Sequence, residues 1–494
     1  MKILWLDINA SYSHSSLALP ALHSQTGECS GKPFDWCVVA GTINREPSTS
    51  LNEVIIHKPD VIFSTLWLFN HNYTITLLSR VSALLPDTRI VLGGPEFLGN
   101  NEYFLKSNKF VTAVFKGEGE SQINNILKAL DGQGELSDIE GVCMIDKSGS
   151  YIDNGCAVVS AFHNLIPPEN SKFFRWDKAF IQIETSRGCF NRCSFCVSGN
   201  KRKIDKTDLI SLRKRLDTAR EKGIKEIRIL DRTFNADSKY AISLLDVFSD
   251  YHQSFTFHLE IHPAFINNTL KRRLESLPDG FLFLEAGIQS LRDDVLAACS
   301  RSGSCDKALE GLKYLCSLKK FKVHADLIVG LPNYNYKQLT EDISTLSLID
   351  VDEIQVEKLK LLPGTKMRRD AEDLQIVYAD NPPYEVLQTP NMSYQEIFTS
   401  SLVSKIIDNW YNNPVWHNSF REGMVRHPDF LETISSFCEK SLILDTPLSI
   451  MKKGTVLYNF CNKYYPDISP LIREAWEKAG FSPHKGAGKF SKEI

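Results

Sequence analysis

Short apolar runs that alternate with segments of helical periodicity constrain this chain more than any other feature. Residues 2–8 (KILWLDI), 60–65 (DVIFST), 88–92 (TRIVL) and 113–115 read as strands, and residues 73–85 carry Ile75, Leu77, Leu78, Val81, Leu84 and Leu85 at helical spacing. Strands that are apolar on both faces and separated by helices predict a parallel sheet covered on both sides. Ligands of such open sheets bind at the carboxyl ends of the strands. GGP at 93–95 and GEGE at 117–120 fall at such ends. A second series begins at residue 180, with strands over 180–184, 226–230, 256–261, 281–288, 322–329 and 353–361. Helical patterns over 209–222, 239–251, 267–277, 307–318 and 336–348 lie between them. Six strand–helix repeats are too few for a closed eight-stranded barrel, so a partial, open-sided barrel is expected.

A chain of 494 residues exceeds a single hydrophobic core. A polar, turn-rich stretch over 131–176, with a hairpin expected around SGS at 148–150, separates the two series. Beyond Asn381-Pro-Pro the pattern turns helical, over 393–410, 430–440 and 470–478, before a Gly/Lys/Ser-rich end from Pro483. The expected fold is α/β: a Rossmann-like doubly wound domain over 1–145, a partial (β/α)6 barrel over 170–380 and a small, mainly helical domain over 381–494. A formal net charge of -3 offers no global attraction to nucleic acid or anionic membrane. No run of about 18 apolar residues occurs, so no membrane span is expected. The polar start does not read as a signal peptide, and twelve cysteines without one predict a reducing, cytoplasmic setting.

Three of those cysteines form a pattern, Cys189-x3-Cys193-x2-Cys196, directly after the first barrel strand, where barrels of this kind carry their chemistry. Thiolates suit zinc and iron, and the spacing lets one loop wrap a compact centre. Structural zinc closes with four protein ligands, commonly two Cys or His pairs. No partner pair stands nearby, and three thiolates would leave one iron of a 4Fe-4S cubane open to bind another molecule.

TSRGCFNRCSFC (185–196) resembles the CxxxCxxC signature of the radical SAM superfamily, including the aromatic residue before the last cysteine. The resemblance implies a 4Fe-4S cluster on Cys189, Cys193 and Cys196, S-adenosylmethionine (SAM) on its open iron, and Phe195 beside the adenine. It continues along the barrel. FHLEIHP (257–263) implies that Glu260 contacts the aminoacyl group, and EAGIQS (285–290) places Gln289 at the ribose. Arg301 matches the arginine that pairs with the SAM carboxylate, and ADLIVGLP (325–332) puts Asp326 at the ribose hydroxyls. A carboxylate for hydroxyls and a guanidinium fork for a carboxylate are chemically apt. Two departures stand out: the glycine-rich turn after the second strand is Asp231-Arg-Thr-Phe-Asn, and the GLP motif continues as GLPNYN.

The first domain resembles the cobalamin-binding domain that precedes the barrel in one radical SAM subgroup, through NASYSHSSLAL (9–19), DVIFST, IVLGGPEF (90–97) and VFKGEGES (114–121). Ser64, Thr65, Gly93, Gly94, Pro95, Gly117, Glu118 and Gly119 are the implied cobalamin contacts. No GxGxxG opens the first helix, which disfavours a dinucleotide. The DxHxxG motif that supplies a lower ligand to cobalt is absent, and His14 is a lone alternative candidate. The whole arrangement resembles the group that includes C-methyltransferases and the anaerobic Mg-protoporphyrin monomethyl ester cyclase. LLPGT (361–365) and NPPYEVLQTPNMSYQEI (381–397) are similar to an uncharacterised C-terminal extension of such proteins, expected to pack on the barrel's open side. Its aromatics Tyr394, Trp410, Tyr411 and Trp416 read as core at helical spacing, with lining of the substrate site as the alternative.

The resemblance implies a radical SAM enzyme, with cobalamin-dependent methyl transfer to an unactivated carbon as the leading reading. Radical rearrangement or cyclisation without methyl transfer is the alternative, and a non-catalytic cobalamin or cluster sensor a third. An electron donor such as flavodoxin or ferredoxin is the implied partner; the substrate is not legible.

Overall fold

The computed structural model describes residues 1–13, 15–29, 32–199 and 203–480. His14 and the segment from Pro483 lie outside them.

The first sheet contains β1 (Lys2–Asn9), β2 (Asp35–Thr42), β3 (Val61–Thr65), β4 (Arg89–Gly93), β5 (Ala113–Phe115), β6 (Val142–Ile145) and β7 (Tyr151–Asp153). Their spatial order is β2-β1-β3-β4-β5-β6-β7. The first five run parallel; the expected hairpin supplies β6 and β7, which add antiparallel strands at the edge. Successive residues of β1 feed different cores. Leu4, Leu6 and Ile8 pack with Leu77, Leu78 and Val81 of helix His71–Leu84, whereas Ile3 and Trp5 pack with Ile123, Ile126 and Leu127 of helix Ile123–Leu130. Each such fully buried aliphatic side chain contributes about 1.5–3 kcal/mol, which is why a strand apolar on both faces stays between two helix layers. The order 2-1-3-4-5 reverses direction between β1 and β3, so the topological crevice opens beyond their carboxyl ends.

The second sheet is parallel and in sequence order: β8 (Phe180–Ile183), β9 (Glu226–Ile229), β10 (Thr256–Ile261), β11 (Leu282–Gln289), β12 (Lys322–Val329) and β13 (Glu353–Lys358). Alternate side chains such as Leu259, Leu284, Ala325 and Leu327 are buried beneath the helices that follow. The intervening positions, His258, Glu260, Glu285, Gly287, His324 and Asp326, therefore face the barrel lumen.

The C-terminal region is helical, over Tyr394–Ile406, His417–Arg426, Phe430–Ser441, Ile450–Tyr464 and Ser469–Lys478, with a π-helical turn at Ile407–Tyr411. Its core is continuous with that of the barrel. Asn412 closes the free edge of β13 by accepting from the Ile354 N–H (2.9 Å) and donating to the Ile354 carbonyl (2.8 Å). Tyr411 adds a bond to the Val351 carbonyl at 2.6 Å. Side-chain amides here do what a seventh strand would do for an exposed edge. Trp410, Tyr411 and Trp416 are fully buried in this shared core as expected, whereas Tyr394 is 58% exposed and is not a core residue. Among the described residues no helix is long and apolar enough to cross a membrane.

Candidate functional site

The cysteine loop leaves the end of β8 and is tied down from three distant segments. Asp231, just past β9, accepts from the backbone N–H groups of Thr185 and Ser186 (2.8 and 2.9 Å) and from their hydroxyls (2.5 and 2.7 Å). It is almost wholly buried, and burial pushes its carboxyl up against the pull of those four donors. The Asp231 departure from a glycine-rich turn is thus the anchor of the loop's entry. Farther along, the Ser194 N–H donates to the Cys299 carbonyl (2.9 Å) and the Ser194 carbonyl accepts from the Met367 N–H (2.8 Å). Asn191 accepts from the Ser302 N–H at 3.0 Å.

A cavity of about 250 Å³ opens beside this loop. Cys189, Cys193, Phe195, Cys196, Glu260, Gln289, Arg301 and Asp326 all line it. Every barrel residue singled out from the sequence is therefore brought to one place. Arg301 lies 3.7 Å from Cys193 Sγ through Nη1, while Nη2 donates to the Gly287 carbonyl. Burial pushes the Cys193 thiol up and Arg301 pulls it back. Gln289 has a φ of 65° at a break in register between β11 and β12, a bulge of the kind that re-aims a side chain. Gln289 Oε1 and Arg301 Nε are buried without a hydrogen-bond partner. Asp326 Oδ1 stands 3.1 Å from His324 Nε2, out of line for a hydrogen bond. Glu260 is raised to about 7, first by burial and then by Glu285 directly opposite it on β11. Glu285 is held down by a 2.9 Å bond from His258.

The sequence reading did not single out Arg232, His262 or Glu285, which also line the cavity. Strand parity would have found two of them, since His262 continues the 258/260 face and Glu285 precedes Gly287 and Gln289 by two and four. Burial, then Arg301, lowers His262 to about 4, and it is a neutral donor from Nε2 to the Ser302 carbonyl at 3.0 Å. A groove of about 380 Å³ between helices His417–Arg426 and Ser469–Lys478 is lined by none of these residues.

At the β1/β3 crevice the implied contacts divide. Gly93 faces open space, and Gly94, at a φ of 106°, rests on Leu66, whose carbonyl a Cβ would meet at 2.6 Å. Pro95 starts the short turn Pro95–Phe97, and Thr65 packs its methyl towards Gly94. Ser64 is corrected: it is 2% exposed and donates to the Leu6 carbonyl at 2.8 Å, because its side chain points into the sheet rather than beyond it. Glu118 is likewise occupied, accepting from the Val159 N–H at 2.7 Å, while the Gly117 backbone lies against Ala157 and Gly119 against Leu22. Features absent from the sequence reading complete the crevice. Asn70 donates to the Ile8 and Thr65 carbonyls (2.9 and 3.0 Å) and so ties the two strand ends together. Trp67 and Phe69, 42% and 39% exposed, stack nearby at 6.4 Å.

Residues 183–346 match the Radical SAM superfamily, and residues 372–475 match a family described as protein of unknown function (DUF4080). An uncharacterized methyltransferase of Pyrococcus horikoshii is 23% identical over 342 residues, 65% of this chain and 71% of that protein. The ribosomal protein uS12 methylthiotransferase RimO of Hydrogenovibrio crunogenus is 23% identical over 212 residues, 39% of this chain and 46% of that protein. The radical SAM methyltransferase TsrM of Kitasatospora setae, solved with cobalamin and a 4Fe-4S cluster bound, superposes with a TM-score of 0.61 at 16% identity over 97% of this chain and all of its own. The cobalamin-dependent SAM radical enzyme OxsB, solved with aqua-cobalamin and SAM, gives 0.63 at 14% identity over 99% of this chain and 77% of its own. Residues 183–346 are thus a Radical SAM superfamily domain, set in a chain that shares the fold of TsrM and OxsB along almost its whole length.

Proposed function

We propose that this enzyme is a cobalamin-dependent radical SAM methyltransferase acting on an unactivated carbon. The observation that carries the reading is the single cavity shared by the three cysteines and the polar residues Glu260, Gln289, Arg301 and Asp326. The donor set fits a cluster with bound SAM. Three thiols on one loop line the cavity, the number of thiolates that holds a cubane while leaving one iron open. The adjoining Gln289 Oε1 and Arg301 Nε are polar atoms awaiting partners, which a SAM-sized polar molecule would satisfy. When bound, the cluster supplies the electron for reductive cleavage of SAM and cobalamin supplies a carrier for the methyl group.

The chain's own residues then bind and orient. Glu260 would take the SAM ammonium, Arg301 its carboxylate, Gln289 and Asp326 the ribose, and Phe195 the adenine. Cobalamin is supported by the likeness to TsrM and OxsB along almost the whole chain and by the open space at Gly93, at the carboxyl end of β4 beside Thr65, Gly94 and Pro95. Methyl transfer is supported by the names of TsrM and of the Pyrococcus horikoshii relative. Because the cluster must be given an electron, the reading includes a reducing cytoplasm and a small electron donor such as flavodoxin or ferredoxin.

Anaerobic reconstitution with iron, sulfide and hydroxocobalamin, followed by SAM and a reductant, tests the proposal. Deoxyadenosine together with S-adenosylhomocysteine is the expected result. Deoxyadenosine alone would move the enzyme to radical chemistry without methyl transfer. Neither product from a protein with a full cluster would leave only a sensor or a strict need for substrate.

A further inference from the structure

Residues 361–384, between β13 and the C-terminal helices, touch both halves of the site in one run. Near the start of the segment, Pro363 and Gly364 lie against Leu98 and Gly99, just after the Pro95–Phe97 turn of the crevice, and a Cβ on Gly364 would come within 2.6 Å of the Leu98 carbonyl. Three residues later the Met367 N–H donates to the Ser194 carbonyl, between the second and third cysteines. At its far end Tyr384 reaches back to the crevice, where its hydroxyl donates to Glu96 Oε2 at 2.7 Å. His71 Nδ1, at the start of the helix after β3, meets the same oxygen at 2.9 Å. Glu96 is buried and directly follows Gly94-Pro95.

The segment is also locked upon itself. Arg368 donates to the Leu361 carbonyl at 2.8 Å and lies over the rings of Tyr384 (4.4 Å) and Tyr378 (5.4 Å). Tyr384 has a φ of 61°, a conformation that a bulky residue keeps only where its surroundings over-determine it, and such positions concentrate at functional sites. A merely decorative extension would need none of these contacts.

We infer that residues 361–384 are a strap that sets the position of the β1/β3 crevice relative to the cysteine loop, with Tyr384 a positioning residue acting through Glu96. The inference rests on the cobalamin reading of the crevice and gives the region that includes the family of unknown function a role in the reaction. Tyr384 touches no cofactor. It holds Glu96, which directly follows the Gly94-Pro95 turn and is shared with His71 at the start of the helix after β3, and Met367 ties the same strap to the loop that carries the cysteines.

The test compares wild type with Tyr384→Phe, Glu96→Gln and the double variant, each reconstituted with iron and sulfide and titrated with hydroxocobalamin. Tyr384→Phe keeps the ring under Arg368 and removes the hydroxyl that donates to Glu96. Its expected effect is about a tenfold weaker affinity for hydroxocobalamin, the usual range for a hydrogen bond to a charged group. Iron and sulfide content and SAM cleavage to deoxyadenosine should be unchanged, and the melting temperature should stay within about 2 °C. Pulsed EPR should show a broader distance distribution between cob(II)alamin and the reduced cluster. The double variant should be no worse than Glu96→Gln, since both changes break one link. Wild-type affinity in Tyr384→Phe, additive losses in the double variant, or a joint fall in melting temperature and cluster content would each overturn the strap. A wild-type protein that assembles its cluster but takes up no hydroxocobalamin would instead overturn the cobalamin reading itself.

Discussion

Glu260→Gln offers a perturbation whose sign can be worked out before any substrate is known. The carboxyl is half-buried, faces Glu285, and ionises at about 7 rather than 4.5. Moving the ionisation that far disfavours the charged form by about 3 kcal/mol. Between about pH 4.5 and 7 the folded apoprotein keeps a proton that the unfolded chain has released, so stability falls as pH rises through that interval. Glutamine carries no such linkage. The cluster-free variant should therefore match wild type near pH 4 and exceed it by about 3 kcal/mol at pH 8, as read from urea denaturation. Other titrating groups cancel in the difference as long as Glu285 stays ionised through His258. SAM binding should move the other way, weakening at least about tenfold, because a desolvated carboxylate gains most from a cation brought to it. A stability difference that does not change with pH, or a variant less stable than wild type at pH 8, would refute the reasoning.

Three further changes separate the parts of the site. Asp231→Ala strands the Thr185 and Ser186 N–H groups in a buried position and should cost about 4 kcal/mol, with a matching loss of reconstituted iron; Asp231→Asn, which keeps one acceptor oxygen, should cost about 1–2 kcal/mol. Gly93→Leu adds bulk where nothing lies within 4 Å, so the protein should fold and assemble its cluster while losing at least about tenfold in hydroxocobalamin affinity by absorbance titration. Arg187 joins Glu184 beside the cysteine loop to Glu120 of the first domain at 2.5 and 2.9 Å. Arg187→Met should lower stability by about 3 kcal/mol in urea, since it leaves two half-buried carboxylates facing each other.

What was legible in the sequence follows from which forces act locally. Strands covered on both faces announce themselves as unbroken apolar runs, and β1, β3, β4 and all six barrel strands lie within a few residues of the expected limits. Strand β2 has the same role but lies at the edge, where solvent reaches Asp35 and Ala40 and breaks the run. Helix His417–Arg426 buries only Ser419, Phe420, Gly423 and Met424, too thin a stripe to stand out from its polar surroundings. In the site, Glu260, Gln289 and Asp326 were identifiable because each lies in a strand motif, and Arg301 because it follows the fourth of these strands by one short helix. Ser64 misled for the opposite reason: a polar residue near a strand end reads as a ligand contact, yet its parity turns it into the sheet.

The cysteine spacing names the ligands, but it does not by itself give the loop a shape. That shape comes from Asp231 after the second barrel strand, from the Cys299 carbonyl and from the Met367 N–H, none of them near the loop in sequence. The glycine-rich turn that the sequence lacks is replaced by a buried carboxylate gripping the loop's entry, so the departure from the family pattern marks an exchange of one anchor for another. Met367 in turn is buried in the core that the barrel shares with the C-terminal helices, and Asn412 closes the edge of β13 a few residues earlier in the chain. The helical region is then part of the support of the iron–sulfur loop. Removing residues beyond 380 would expose the edge of β13 and free the strap, and the first loss expected is the cluster, ahead of any change in substrate choice.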